Sequence, residues 1–159
     1  MDDRTRSNPT ASDQRSSGHE FLDHTSEIVV RLHAPSFPEL LAEASRAFAA
    51  LVPADAERRD APDVRELTLE GADPAAMLVD WMNELVFLAE SECWIPTEIS
   101  AREERDAGTS PSSELSVVRV RARGQILQQP FVFVKAATLH GVDVRGSPER
   151  IEAEVTLDV

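Results

Sequence analysis

Two helix starts frame this chain, and both lie in its first half. Ser36-Phe37-Pro38-Glu39 has the form of a capping box. Ser36 is the cap, Pro38 falls in the first turn where amides lack helical partners, and Glu39 is placed to reach back to the Ser36 amide. Asp73-Pro74 repeats the signal, with Asp as cap and Pro at the first helical position. Leu40, Leu41, Ala44, Phe48 and Leu51 follow the first start at helical spacing, to about Val52 and the stop at Pro53. Met77, Leu78, Trp81, Leu85 and Leu88 follow the second, as far as Glu90 or Cys93. Elsewhere the period is two. Ile28, Val30 and Leu32 share one face of an early strand that ends at Ala34-Pro35, and 64–70 reads as another strand closed by Gly71. Strands follow over 94–102, 115–123, 131–139, 142–145 and 151–159, with a loop at 106–113. In the last strand Ile151, Ala153, Val155 and Leu157 face in, while Glu152, Glu154, Thr156 and Asp158 face out. The order β, α, β, α and then consecutive strands predicts an α+β fold: a single domain with two helices packed on a largely antiparallel or mixed β-sheet.

Residues 1–18 are polar and carry equal numbers of Asp and Arg, so they predict a disordered tail ahead of a folded domain at 19–159. The 159 residues carry 16 Lys+Arg against 29 Asp+Glu, a net charge of −13. That balance excludes a general nucleic-acid binder, which needs concentrated positive charge, and equally disfavours an anionic membrane surface. No apolar run approaches the ~20 residues of a membrane span. The N-terminal stretch lacks the apolar core of a secretory signal, and Cys93 is the single cysteine, so the expected location is the cytoplasm. The basic residues are all Arg except Lys135.

Five groups of residues carry candidate chemistry. His19-Glu20-Phe21-Leu22-Asp23-His24-Thr25-Ser26-Glu27 packs two His and three acids into nine residues. Its His spacing of five on a strand is not the zinc-protease pattern, and such clusters are more often polar strand ends than metal sites. His140-Gly141-Val142-Asp143 places a His at a strand end beside a Gly. At the end of the last strand Asp158 and the terminal carboxylate are expected to sit close together, oxygen ligands of a kind suited to Ca²⁺ or Mg²⁺. Glu27 and Asp158 share the outward parity of their strands, so they converge if those strands are neighbours. Asp80, Asn83 and Glu84 form a polar face on the second helix, of the kind that solvent normally covers. Arg119, Arg121 and Arg123 line one strand face, where they would meet a phosphate or, more commonly, neutralise acidic neighbours. There is no Gly-rich phosphate loop and no nucleophile elbow.

Several segments in series resemble one family, archease: Glu20-Phe21-Leu22-Asp23-His24-Thr25-Ser26-Glu27-Ile28, the helix from Ser36 to Ala44, the helix from Leu78 to Leu88, Lys135-Ala136-Ala137-Thr138-Leu139-His140-Gly141-Val142, and Val155-Thr156-Leu157-Asp158-Val159. The resemblance covers about residues 19–159. It implies a small α+β protein that binds a divalent metal, most often Ca²⁺, with Mg²⁺ or Mn²⁺ as alternatives. The implied ligands are Glu27, Asp158 and Val159, with Asp23, His24 and His140 as neighbours. Glu27 stands where the family usually has Asp, and the uncharged stretch 125–130 where it usually has an acid and Arg-His. The implied role is a non-catalytic accessory protein that promotes guanylylation and repeated turnover of the GTP-dependent RNA ligase of tRNA splicing and RNA repair. It implies no direct sequence-specific nucleic-acid binding and no membrane. The same residues read without the family leave two other expectations: a metal-dependent hydrolase built on Asp23, His24, Glu27, His140 and Asp158, or a chaperone-like interaction module without metal.

Overall fold

The computed structural model describes residues 16–23, 25–104 and 115–159. Most of the expected tail at 1–18, the loop at 106–113 and the candidate His24 therefore lie outside the described residues. Strands β1 (Gly18–Asp23) and β2 (Glu27–Ala34) precede helix α1 (Phe37–Ala50); β3 (Arg58–Asp60) and β4 (Arg65–Gly71) precede α2 (Pro74–Ser91). Four further strands follow: β5 (Trp94–Glu104), β6 (Ser116–Leu127), β7 (Ala136–Ser147) and β8 (Arg150–Asp158). The α+β order is the expected one.

Both helix starts form where their caps stand. Ser36 accepts the Glu39 amide and Asp73 accepts the Ala75 amide. Glu39 departs from the reciprocal capping box in one respect: its carboxylate takes the Ser36 hydroxyl at 3.1 Å rather than the Ser36 amide. The helix stripes are buried as spaced, except that Leu51 stays partly exposed at the α1 terminus. Trp81 pins the helices together. Its indole Nε1 donates to Leu41 O at 3.2 Å and to Ser45 Oγ at 2.9 Å, so a large core ring keeps its polar atom satisfied.

Among the described residues every strand pairing is antiparallel, and the strands divide between two sheets. One runs in the order β1-β2-β8-β7; in the other, β6 pairs with β3, β4 and β5. Helix α1 touches β1, β2, β8 and β5, while α2 touches β4, β5 and β7, so both helices bridge the two sheets around one continuous core. The expected strand over 131–139 is shorter than its sequence pattern. Pro130 has no amide to place in a ladder, and the Phe131 amide donates to Ala89 O on α2 at 3.1 Å. Residues 131–134 therefore run beside α2, and β7 begins only at Ala136.

Gly124 on β6 is fixed by packing. A Cβ there would drive into the Trp94 indole, which is fully buried and has the Arg65 guanidinium 4.7 Å over its ring. We expect Gly124→Ala to destabilise the protein by about 2 kcal/mol through overpacking. A lowered urea midpoint at unchanged slope checks this.

Candidate functional site

Among the described residues no helix covers the outer face of the β1-β2-β8-β7 sheet, and its register decides which polar side chains meet. Ile28, Val30 and Leu32 turn inward, so Glu27, Val29, Arg31 and His33 turn outward. On β8 the inward set is Ala153, Val155 and Leu157, leaving Glu152, Glu154, Thr156 and Asp158 outward. Glu27 pairs directly with Asp158, Arg31 with Glu154 and His33 with Glu152. The two strands are neighbours, so Glu27 and Asp158 stand side by side on one face at the end of the sheet.

Directly opposed carboxylates repel each other. Two other features bear on that end of the sheet. The Asp158 carbonyl accepts the Lys135 amide at 2.8 Å, and the Val159 amide donates to Ser26 O at 3.3 Å, which fixes the backbone around the pair. Lys135 Nζ donates to Val159 O at 3.1 Å, bringing the only lysine of the chain to the same corner. Sequence reasoning did not select Lys135; its uniqueness in an arginine-rich chain was the available signal.

The remaining candidates are distributed differently. Asp23 pairs with Ile28, which gives it the inward parity, opposite to Glu27, and it stays exposed at the strand end. His140 is exposed in an irregular stretch of β7, where four residues between Thr138 and Asp143 face the single Val155 between Thr156 and Glu154. Gly141 takes φ +71° there, a conformation that suits glycine. Among the described residues no three His, Cys, Asp or Glu side chains converge to hold an ion. His19 has a structural partner instead: its Nδ1 lies 2.6 Å from Glu43 Oε1 on α1.

Further along the same outer face lies a trough lined by Arg31, His33, Asp143, Arg145, Glu152 and Glu154. Its cations are already compensated. Arg31 bonds Glu154 and lies 3.9 Å from Glu20, and Arg145 bonds Asp143. Arg31 is held more firmly charged by its hydrogen bond to Glu154. The arginine stripe of β6 is compensated too. Arg119 bonds both oxygens of Glu104, Arg121 lies 3.8 Å from Glu66 and Arg123 lies 3.9 Å from Glu98. The stripe neutralises its acidic neighbours on β4 and β5.

Asn83, expected on a solvated face, turns inward. Its Oδ1 accepts the Ala137 amide at 2.8 Å and its Nδ2 donates to Ala137 O at 3.1 Å. Strand β7 is an edge strand, and the Asn83 amide occupies its outward backbone groups as a neighbouring strand would. Asn83→Ala leaves that donor and acceptor unpaired, at an expected cost of about 2 kcal/mol. Thermal unfolding of this variant beside Asn83→Asp, which keeps the acceptor alone, separates the two bonds.

Glu27 and Asp158 are opposed on adjacent strands, and comparison with known proteins bears on the family. The sequence pattern of the archease protein family (MTH1598/TM1083) matches residues 19–159. The chain belongs to the archease family. It is 27% identical over 146 residues to protein archease of Methanosarcina barkeri, covering 89% of this chain and 95% of the relative. To the Methanopyrus kandleri archease it is 28% identical over 145 residues, covering 88% and 98%. Its fold is similar to the solution structure of Methanobacterium thermoautotrophicum protein 1598, with TM-score 0.65 and 20% identity over 89% of this chain and 99% of the other. It is also similar to the crystal structure of a Thermotoga maritima archease described as a possible chaperone. The TM-score there is 0.56, with 17% identity over 87% and 94% of the two chains.

The divalent ion implied by the archease resemblance can be tested against the donors present. Two opposed carboxylates and a main-chain carbonyl with a second lone pair are all-oxygen donors, the chemistry that Ca²⁺ and Mg²⁺ take, with water supplying the remaining positions. The set fits a hard cation.

Proposed function

We propose that this archease is an accessory protein that activates a GTP-dependent RNA ligase, promoting its guanylylation and repeated turnover in tRNA splicing or RNA repair in the cytoplasm. Family membership supports the reading, and the observation that carries it is the direct pairing of Glu27 with Asp158 at an open sheet end. Glu27, Asp158 and the Val159 carbonyl would hold the ion, with Ca²⁺ the first expectation and Mg²⁺ or Mn²⁺ the alternatives. Bound there, the ion would supply positive charge at a surface point that otherwise repels.

The chain's own residues do the positioning. The β2–β8 ladder sets the two carboxylates, and the Ser26, Lys135 and Val159 backbone bonds hold the end of β8 against fraying. Lys135 Nζ on Val159 O supplies a second positive charge at the corner. In this reading the accessory protein is not itself catalytic; the nucleotide chemistry belongs to the ligase. Asp23 and Glu27 project from opposite faces of their strands, an arrangement that favours the accessory role over a hydrolase that would use both as ligands.

The deciding experiment combines the purified chain with its host's RNA ligase, GTP and a divalent ion, and follows covalent guanylate on the ligase over time. Substoichiometric accessory protein is expected to raise the rate and allow repeated cycles. No effect from two folded proteins would overturn the reading and favour a chaperone-like module.

A further inference from the structure

Beside the acidic corner, the chain exposes apolar side chains that its core does not use. Phe87 is 57% exposed, Val132 60% and Phe133 48%. The backbone places them together. The segment 131–137 is tied to α2 at one end by the Phe131 amide on Ala89 O and at the other by Ala137 on Asn83. Phe87 lies on α2 between those anchors, one turn after Asn83 and on the same helix face. Val132 and Phe133 lie between the same anchors on the facing segment.

The patch is built rather than incidental. Phe131 is buried with its ring 5.9 Å from that of Phe48 on α1, and the Phe133 ring lies 6.2 Å from Phe131. Phe133 is thus held half-exposed by a core aromatic. An aromatic presented in a fixed position loses little freedom on binding, which is what makes such residues effective interface anchors. The rim is acidic on balance: Glu84 and Glu90 stand three residues either side of Phe87 on its helix face, Glu90 exposed, while the one nearby cation, Lys135, is engaged by Val159 O. Apolar center with polar rim is the usual build of a protein interface.

Charge decides the occupant. A second copy would bring another acidic rim and another net charge of −13 against the first. The complement is a protein surface with an apolar recess inside a basic rim. A protein that grips RNA phosphates must concentrate positive charge on its surface. We infer that the Phe87–Val132–Phe133 patch, rimmed by Glu84 and Glu90, is the surface on which this chain docks the basic face of its RNA-handling partner. The inference rests on the proposed ligase role for the identity of that partner, and separates docking at the patch from activation at the Glu27–Asp158 corner.

The test uses the purified full chain and purified ligase, with direct binding measured by sedimentation and guanylylation measured as accessory protein is titrated. Phe87→Ser and Phe133→Ser are expected to raise the dissociation constant and the half-activating concentration at least tenfold, with the plateau rate kept at saturation. Glu90→Arg is expected to weaken binding and reduce its salt dependence. Leu115→Ser, which alters an exposed leucine in another part of the chain, is expected to behave as wild type. Wild-type binding without activation, lost in the Phe variants, would support the docking surface and overturn the activator reading. Equal binding by wild type and both Phe variants would overturn the docking surface and leave the activator reading standing. No binding by wild type would overturn both. Reversible dimers of the chain alone, abolished by Phe133→Ser, would overturn the basic partner in favour of a second copy.

Discussion

Replacing Asp158 with alanine is expected to bring ligase guanylylation down to the rate of the ligase alone while the fold stays intact. The side chain faces outward, and its removal relieves the repulsion with Glu27 directly opposite. The unliganded variant should therefore unfold at the wild-type temperature or slightly above it. Calcium should separate the two proteins. An ion that binds only the folded state stabilises it by about 2.7 kcal/mol at a hundred times its dissociation constant. For a chain of this size that corresponds to a rise of roughly 5–10 °C in melting temperature. The rise is expected in wild type and absent in Asp158→Ala. Glu27→Gln should reduce both responses without abolishing them, because its amide oxygen still offers a neutral donor opposite Asp158. Full activation by Asp158→Ala would remove the site from the mechanism, and an equal calcium response in that variant would show that the ion binds elsewhere.

The elements legible in the sequence were those with a local cause. Ser36 and Asp73 start helices because their side chains accept backbone amides two or three residues on, and the alternation of 151–157 fixes which face of β8 is buried. The Glu27–Asp158 pairing followed from outward parity plus adjacency of β2 and β8; only the parity was local. Three features were hidden because their partners are distant in sequence. Arg58–Asp60 has no apolar pattern and becomes β3 only because the end of β6 offers it a ladder. The apolar run 131–134 reads as a strand, yet its first amide is taken by α2. Asn83 looks like a solvated helix residue until Ala137, fifty-four positions away, is placed beside it.

Glu43 is the extreme case of such concealment, and its removal is expected to be the most destabilising charge deletion among the described residues. Only 4% of it is exposed, and it is held between His19 Nδ1 from β1 at 2.6 Å and Arg46 Nε, three residues on, at 2.8 Å. Burial by itself pushes its carboxyl upward, but the hydrogen bonds from His19 and Arg46 together outweigh it and hold the group below its ordinary value of 4.5. Between those two values the unfolded chain binds a proton that the folded chain does not, so stability rises with pH there. The contribution is fully present above the ordinary value and is lost as pH falls through the lower, folded one. Glu43→Ala removes the hydrogen bonds to both His19 and Arg46 and is expected to cost about 3 kcal/mol at neutral pH, from two bonds to a charged group. Glu43→Gln keeps the shape and loses the charge, so it should fall between. Urea titrations from pH 6 down to pH 3 check the assignment. Glu104, also lowered by its hydrogen bond to Arg119, keeps part of the acid slope in every variant. The difference between wild type and Glu43→Gln isolates the Glu43 share, and that difference should shrink as the pH is lowered. A constant difference across the range would mean that Glu43 acts through packing alone, and that the link between β1 and α1 is steric rather than ionic.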